Sequence, residues 1–403
     1  MKILLAAVAA LFLGGAKAPD YPSMIRALGK TVADNFYDPH MRGVDWARVT
    51  RDYARRAQDV RDDAAFRRLA TEMMATLNAS HTDVSAPGFA VPQARPPLVT
   101  EDDLIVEVAQ LPDARAQGLR PGYRLLDEAA LPGPLGSTAQ VRVRDCAGGE
   151  RTVAARREAA LWPPPEPSFQ WRRIRTAPGR TLGYLRVDAF DDDGAELADR
   201  AMTALADTTA MIIDLRSNQG GNASAVRLAS YFTGSEGPAL TLLGRDYLQR
   251  LNRTPTAADA QAAPRVQRTY TTAKVGEALN ANGGAAAIWT EDMGTKRYDK
   301  PVVLLIGPET ASAAEGFGWI MKLRSGAKLV GRRTQAALLS ADRLEFAPGW
   351  RVRVPTAGVW APDGQDYGDR AIEPDVHVPL DAAALCQGRD PELERAFAML
   401  SRG

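Results

Sequence analysis

Ala210-Met211-Ile212-Ile213-Asp214-Leu215-Arg216-Ser217-Asn218-Gln219-Gly220-Gly221-Asn222 is the stretch of sequence that decides the fold. Its first six residues are an almost continuous apolar run, which predicts a buried strand. Gly220 and Gly221 permit positive φ and leave backbone N–H groups free, so the turn can bind an anion or a developing oxyanion. No Gly-Lys-Ser/Thr follows, so it is not a Walker loop. An ordinary tight turn between a strand and a helix is the alternative interpretation.

A second strand and turn follow further along the chain. The apolar run Val302 to Ile306 precedes Gly307-Pro308-Glu309-Thr310-Ala311-Ser312-Ala313-Ala314-Glu315, which leads into a helix. Ser312 lies at the strand-to-helix junction, where the helix dipole and free N–H groups favour the negative charge of a nucleophile. Ser312-x-x-Glu315 is also a capping box, so a helix cap is the alternative interpretation.

The repetition of strand, turn and helix predicts a layered α/β domain over residues 168–385. Within this domain, residues 245–300 are polar, alanine-rich and weakly periodic, and we expect an irregular insertion there. Residues 386–403 are expected to form a C-terminal helix.

Two smaller modules are expected to precede the α/β domain. Apolar residues at helical spacing, such as Leu28 and Val32, predict a helical module over residues 19–95. Short β segments predict a β-rich module over residues 96–160, in which Gly118 to Asp127 resembles the signature of PDZ domains. A PDZ peptide groove needs a helix beside a strand edge, and this module offers little sequence for one, so the resemblance concerns the fold more than peptide binding.

Residues 1–18 have the pattern of a secretory signal peptide. A short basic start is followed by the apolar run Ile3 to Leu13 and by small residues ending at Ala18. The run is too short to span a bilayer, which takes ~20 apolar residues. We therefore predict a protein secreted across the inner membrane, periplasmic or extracellular, with no membrane span in the mature chain.

The composition bears on partners and cofactors. In 403 residues, 50 Lys and Arg face 49 Asp and Glu, and this net charge of +1 supplies no electrostatic field for nucleic acid. Two cysteines exclude a zinc cluster, and three histidines leave little material for a histidine-rich metal site. Cys146 and Cys386 lie in different predicted modules, so their pairing stays open, as does the oligomeric state.

In this order, the motifs resemble the C-terminal processing and tricorn-core serine peptidases. The two turns are followed by Val330-Gly331-Arg332-Arg333-Thr334 and by Ile372-Glu373-Pro374-Asp375-Val376, and the N-terminal helices end in Leu77-Asn78-Ala79-Ser80-His81-Thr82. The similarity covers nearly the whole mature chain. It implies a multidomain α/β protein whose protease core is crotonase-like or ClpP-like, often with a PDZ domain placed before it.

The resemblance also implies the catalytic roles. Ser312 matches the nucleophile, and the backbone N–H groups of Gly220 or Gly221 and of Ala313 match the oxyanion hole. It implies a serine endopeptidase that acts on extended or unfolded polypeptide through an acyl-enzyme, with no cofactor.

The base and its helper follow the tricorn-like branch of the family. His81 matches the general base of that branch, and Ser80 matches a serine that orients the site. The processing branch uses a lysine, whose position is Ala337 here, so the lysine mechanism does not fit.

The acid of the family has no direct match. Gly368 stands where related sequences have a glutamate, so Asp369 is the candidate substitute and Asp366 the second. Two alternatives to the peptidase follow: an inactive relative that binds polypeptide without cutting it, and acyl-thioester chemistry on a crotonase-like fold. The side-chain preference of the site does not follow from the sequence.

Overall fold

The computed structural model describes residues 19–86, 94–96, 98–108, 118–157 and 168–401. The predicted signal peptide lies outside these residues. The described chain is a mixed α/β protein with three sheets and with helices at the start of its described part, as the sequence predicts for the α/β class and the N-terminal helices.

Helices and strands alternate along most of the described chain. The helices are α1 (Tyr21–Asn35), α2 (Trp46–Arg56), α3 (Asp63–Ala75), α4 (Gly194–Leu205), α5 (Ser224–Ser230), α6 (Arg245–Leu251), α7 (Ala257–Ala262), α8 (Thr272–Ala281), α9 (Ala313–Arg324), α10 (Ala382–Cys386) and α11 (Pro391–Ser401). The strands are β1 (Val84–Ser85), β2 (Leu98–Glu101), β3 (Leu104–Val108), β4 (Arg124–Leu125), β5 (Thr138–Arg144), β6 (Glu150–Arg156), β7 (Phe169–Ala177), β8 (Arg180–Val187), β9 (Ala210–Asp214), β10 (Gly237–Gly244), β11 (Arg265–Val266), β12 (Ala285–Thr290), β13 (Val302–Ile306), β14 (Lys328–Gly331), β15 (Ser340–Ala347), β16 (Trp350–Trp360) and β17 (Val376–His377).

The three N-terminal helices each begin at an aspartate. Asp20, Asp45 and Asp62 accept the backbone N–H of the residue three positions on, at 3.0, 2.9 and 2.7 Å, which satisfies one of the free donors at each helix start. Their apolar faces share one hydrophobic core with β16, where the Phe66 ring meets Trp350 edge-on at 4.7 Å between centroids. The helical module is therefore packed into the body of the protein.

The central sheet places the two motif turns side by side. Its strand order is β17-β14-β13-β9-β8-β7, parallel throughout except for the antiparallel edge strand β7. β9 and β13 are neighbours, with Leu305 opposite Asp214. Because parallel strands end at the same edge of a sheet, the turns that follow them meet there.

The second sheet corrects our expectation for residues 245–300. It has the order β1-β16-β10-β12-β11, with β15 on β16, and the segment expected to be irregular supplies β11 and β12 together with α6, α7 and α8. β12 pairs with β10 along its whole length, and Ala285, Ala286 and Ala287 are buried. Alanine offers little contrast between a buried and an exposed face, so an alanine-rich buried strand lacks the periodicity from which strands are predicted.

A third, wholly antiparallel sheet has the order β2-β3-β4-β5-β6 and its own small core, which includes Ile105 and Val141. We call the described residues 98–108 and 118–157 the small-sheet module. This is the region in which the sequence predicts a PDZ-like fold.

The small-sheet module is tied to the rest of the chain covalently and by hydrogen bonds. Cys146 and Cys386 form a disulfide with 5.7 Å between their Cα atoms, which answers the question that their positions in the sequence left open. Glu107 on β3 accepts a hydrogen bond of 2.8 Å from the hydroxyl of Ser217. The module therefore contacts the glycine turn itself.

The C-terminal segment ends in α11, whose buried Ala396 and Leu400 share a small core with β13 and β14. Neither this helix nor any other in the described ranges is long and apolar enough to cross a membrane.

Candidate active site

The glycine turn after β9 touches the serine turn after β13. A Cβ placed on Gly220 would lie 2.5 Å from the Cβ of Ser312 and 3.0 Å from the backbone nitrogen of Ala313, and Gly220 has a φ of +109°. Both the contact and the backbone conformation demand glycine at this position. The structure thus brings together the two motifs that lie about ninety residues apart in the sequence.

Ser312 sits in a strained backbone conformation at the start of α9. Its φ of 53° and ψ of −123° lie in a region that residues other than glycine rarely adopt. Such strain between a strand and a helix is also how the nucleophile of many hydrolases is presented. The backbone N–H of Ser312 donates to Glu315 Oε2 at 3.1 Å, so the predicted capping interaction is present as well. The two interpretations of this serine are compatible.

Glu315 holds the serine turn to the loop after β14. This fully buried carboxylate accepts the hydroxyl of Thr334 at 2.5 Å and the backbone N–H groups of Ala336 and Ala337 at 2.8 and 2.7 Å. Burial raises the pKa of Glu315, and these hydrogen bonds oppose the rise. The sequence indicated Glu315 only as half of a cap, because the residues of the distant loop that it binds carry no motif for this contact.

An oxyanion hole needs backbone N–H groups that are free to donate, and the two motif turns supply two of them. The N–H of Gly220 already donates to Asn218 Oδ1 at 2.8 Å. The N–H groups of Gly221 and Ala313 have no acceptor among the described residues, and Ala313 is the first residue of α9, whose N–H has no partner within the helix. The turn therefore offers Gly221, rather than Gly220, beside Ala313.

His81 follows the N-terminal helices with a φ of 60°, and its Nδ1 lies 3.1 Å from the hydroxyl of Ser80. Burial, together with the positive charge of Arg353, lowers the pKa of His81 to about 4. The imidazole is thus neutral at neutral pH, which is the form that accepts a proton. In the structure, no hydrogen bond joins the His81 imidazole to the Ser312 hydroxyl.

One cavity of about 810 Å³ collects the predicted residues. Its walls come from the turn after α3, from the two motif turns and from the loops around β14 to β17. The lining residues are Arg42, Ala75, Asn78, Ala79, Ser80, His81, Gln219, Ala311, Gln335, Ala336, Ala337, Arg353 and Asp369. His81 and Ser80 thus share a cavity with the immediate neighbours of Ser312 and Gly220. Within the described ranges, no group of three or more His, Cys, Asp or Glu side chains could hold a metal ion.

Comparison with known proteins matches residues 181–378 to peptidase family S41 and residues 18–75 to the C1 domain of tricorn protease. The α/β part of the chain, residues 181–378, belongs to peptidase family S41. Tricorn protease homolog 1 of Streptomyces coelicolor is 23% identical over 424 residues, covering 95% of this chain and 35% of that protein. The carboxyl-terminal-processing protease of Synechocystis sp. is 26% identical over 231 residues, covering 56% of this chain and 45% of the relative. This chain therefore spans less than half the length of these curated relatives.

Solved structures share the fold of this S41 chain. Mature CPAF superposes with a TM-score of 0.63 at 14% identity, covering 94% of this chain and 97% of that one. A photosystem II D1 C-terminal processing protease gives a TM-score of 0.56 at 18% identity, covering 93% and 98%. Tricorn protease gives 0.55 at 14% identity, covering 95% of this chain and 37% of its own.

Asp369, our candidate for the acid, contacts Ser80 rather than the histidine ring. Its Oδ1 accepts the backbone N–H of Ser80 at 3.2 Å, and its Oδ2 pairs with Arg42 at 2.8 Å. No hydrogen bond joins Asp369 to His81. The expectation of a carboxylate on the imidazole is therefore wrong for this structure, in which the Ser80 hydroxyl occupies that position.

Gly368 cannot simply be replaced by the glutamate of related S41 sequences. A Cβ at this position would lie 2.4 Å from Leu339 Cδ2 and 3.2 Å from Asp366 Oδ1. Asp366, the second candidate acid, accepts the backbone N–H of Gly368 at 2.8 Å and so holds the turn. Leu339 fills the space that a longer side chain would need.

The lysine mechanism of the processing branch has no support in the cavity. Ala337 stands at the lysine position and lines the wall, and no lysine is found among the described lining residues. Lys322, the first lysine after Ser312, donates through Nζ to the carbonyl of Glu373 at 2.9 Å and lies 3.4 Å from Asp375 Oδ1.

Because the pKa of His81 lies near 4, we expect kcat/KM for a substrate without ionisable groups to stay constant from neutral pH to about pH 5. It should fall only as the pH approaches about 4, where the imidazole becomes protonated. Arg353→Met should move this fall to higher pH, whereas Arg351→Met, at an exposed position two residues away on β16, should not. A pH–rate profile checks this, and an acid limb near pH 6.5 would contradict it.

Asp369→Asn should lower kcat/KM by no more than about tenfold, because the amide oxygen can still accept the Ser80 N–H and only the partly exposed pair with Arg42 is lost. Asp369→Ala, which removes both contacts, should cost more. Asp363→Asn, on the same loop and exposed, serves as the control. A loss near ~10⁴ for the asparagine variant would instead mean that Asp369 acts on the imidazole, as in a serine triad.

Proposed function

We propose that this S41 chain is an exported serine endopeptidase that cleaves extended or unfolded polypeptide through a serine–histidine mechanism. The single observation that carries the proposal is the cavity in which His81 and Ser80 face the turns that hold Ser312 and Gly221. A serine at a strained helix start, a neutral imidazole and two unengaged N–H groups are the parts that acyl transfer requires.

In the proposed reaction, Ser312 Oγ attacks the substrate carbonyl while His81 takes the hydroxyl proton. The N–H groups of Gly221 and Ala313 hold the oxyanion of the tetrahedral intermediate, and His81 returns the proton to the leaving amine. Water then releases the acyl group from Ser312 by the same steps in reverse order. Ser80 keeps the imidazole oriented through its 3.1 Å contact with Nδ1.

Two features support the substrate form and the location. A cavity of about 810 Å³ admits a few residues of extended chain but not a folded domain. The Cys146–Cys386 disulfide suits an oxidising compartment outside the cytoplasm, in agreement with the signal-peptide pattern of residues 1–18. By analogy with tricorn-like relatives, we further propose that the small-sheet module is PDZ-like and that the protease core is crotonase-like.

A catalytically inactive polypeptide-binding protein is the second candidate. The absence of a hydrogen bond between Ser312 and His81 and the glycine at the glutamate position favour it. The two candidates differ in whether a serine-directed reagent reacts: a fluorophosphonate should label Ser312 of an active peptidase, and casein should be degraded in parallel. If wild-type protein neither reacts with the reagent nor cuts casein between pH 5 and 9, the inactive candidate is correct.

A further inference from the structure

Arg353 is a charged residue of the cavity whose guanidinium has no partner among the described residues. It lies on β16, is half-buried, and lines the same cavity as His81. Although its backbone N–H donates to the carbonyl of Asp83 at 2.8 Å, its guanidinium makes no hydrogen bond and no ion pair with any described residue. A guanidinium withdrawn from water without a partner is costly, so its retention requires another explanation.

The other half-buried arginines of the described chain all have partners. Their guanidinium groups bind a carboxylate, a carbonyl or a hydroxyl oxygen, and the ones concerned are Arg95, Arg157, Arg180, Arg186, Arg216, Arg227, Arg245, Arg324 and Arg332. Among the half-buried arginines of the described residues, Arg353 in the cavity wall therefore differs from the others because its guanidinium has no partner.

Asp83, on the segment before β1, is the carboxylate whose charge acts on Arg353, and it forms its ion pair with Arg343 at 3.4 Å. Asp369, in the wall of the same cavity, pairs with Arg42 at 2.8 Å. Arg353 thus shares one carboxylate with Arg343 and forms no ion pair of its own with a described residue. Arg353 lies close enough to His81 for its charge to act on the imidazole, so this guanidinium is next to the proposed reaction centre.

We propose that Arg353 forms a subsite for a substrate carboxylate beside the bond that is cleaved. The inference rests on the proposed peptidase function and adds the substrate class: polypeptides with an acidic side chain, or the C-terminal carboxylate itself, next to the scissile bond. A guanidinium binds a carboxylate through two parallel N–H···O bonds, and partial burial strengthens this pair relative to one in water. The amide side chain of Gln335 in the same wall can add a donor to that carboxylate, whereas Gln219 Nε2 already donates to Glu309 Oε2 at 2.7 Å.

Matched fluorogenic peptides test the subsite. One series exchanges Glu for Gln at each position flanking the scissile bond, and a second compares a free C-terminal acid with its amide, so the two sources of the carboxylate are distinguished. We expect kcat/KM for wild type to favour the carboxylate by about tenfold or more in one series. Arg353→Met should reduce that ratio to near one, and Arg353→Glu should reverse it in favour of the Gln peptide or the C-terminal amide. Arg351→Met, exposed on the same strand, should keep the wild-type ratio.

Binding of the same labelled peptides to the Ser312→Ala protein separates this inference from the proposed function. If wild type hydrolyses peptides but Arg353→Met retains the carboxylate preference, the subsite is wrong and the peptidase stands. If wild type hydrolyses nothing, the peptidase is wrong, and the subsite is judged by whether binding to Ser312→Ala favours the carboxylate peptide. Arg353→Met removes an unpaired charge, so its thermal midpoint should be no lower than that of wild type. A midpoint equal to or above that of wild type excludes misfolding as the cause of a changed carboxylate preference.

Discussion

Replacing Ser312 by alanine lowers kcat/KM for an unfolded protein or a peptide by at least ~10³-fold if the serine is the nucleophile. Alanine experiences the same backbone strain at φ 53° as serine, so the turn should keep its conformation, and the hydroxyl is lost together with its half of the capping box, a cost of about 1 kcal/mol of stability. The backbone donors of Gly221 and Ala313 remain, so a small residual rate is expected. Steady-state kinetics together with circular dichroism at equal concentration measure this effect.

His81→Ala should give a loss of similar size, because a serine without its base is a poor nucleophile. The double variant Ser312→Ala/His81→Ala should then be little worse than either single variant, since the two residues act as a unit. His40→Ala provides the control, because His40 is exposed near the N-terminal helices and does not line the cavity. Cutting that survives Ser312→Ala would show that another residue is the nucleophile.

Local sequence was sufficient to predict the features that depend on neighbouring residues. The strand-turn-helix units around Gly220 and Ser312 run from Ala210 to Ser230 and from Val302 to Arg324, and the chemistry of each is set within its own turn. Parallel pairing of β9 and β13 then brings the turns together, a consequence of α/β topology that needs no contact information. His81 could be placed at the site only through the resemblance, because the fold that carries it there has no local signal.

Long-range contacts explain what the sequence did not predict. The Gly220 N–H is engaged by Asn218, which only the turn geometry reveals, so the sequence could not choose between Gly220 and Gly221. The contact of Asp369 with the Ser80 backbone joins residues 289 positions apart. Arg353 has no ion-pair partner among the described residues because the nearby carboxylate of Asp83 pairs with Arg343. None of these pairings follows from periodicity or propensity.

Gly220→Ala should lower kcat/KM by about 10²-fold or more without unfolding the protein. The added Cβ would lie 2.5 Å from the Cβ of Ser312, 2.9 Å from the carbonyl oxygen of Ala311 and 3.0 Å from the nitrogen of Ala313. To relieve these contacts, the serine turn must move away from the glycine turn. Displacements approaching 1 Å between reacting groups cost about this factor, and the proposed oxyanion donor Ala313 would move together with Ser312.

Gly326→Ala is the matched control for that variant. Gly326 also has a positive φ, +73°, but a Cβ there would have no heavy atom within 4 Å, and the residue is exposed beyond the end of α9. Both variants therefore place an alanine at a positive φ, which costs about 1–2 kcal/mol of stability or more, whereas only Gly220→Ala disturbs Ser312. Activity within twofold of wild type for Gly326→Ala, beside the loss for Gly220→Ala, would assign the effect to the contact with the nucleophile. Equal losses in the two variants would instead make reduced stability the cause, and the close contact of the two turns would then have no catalytic role.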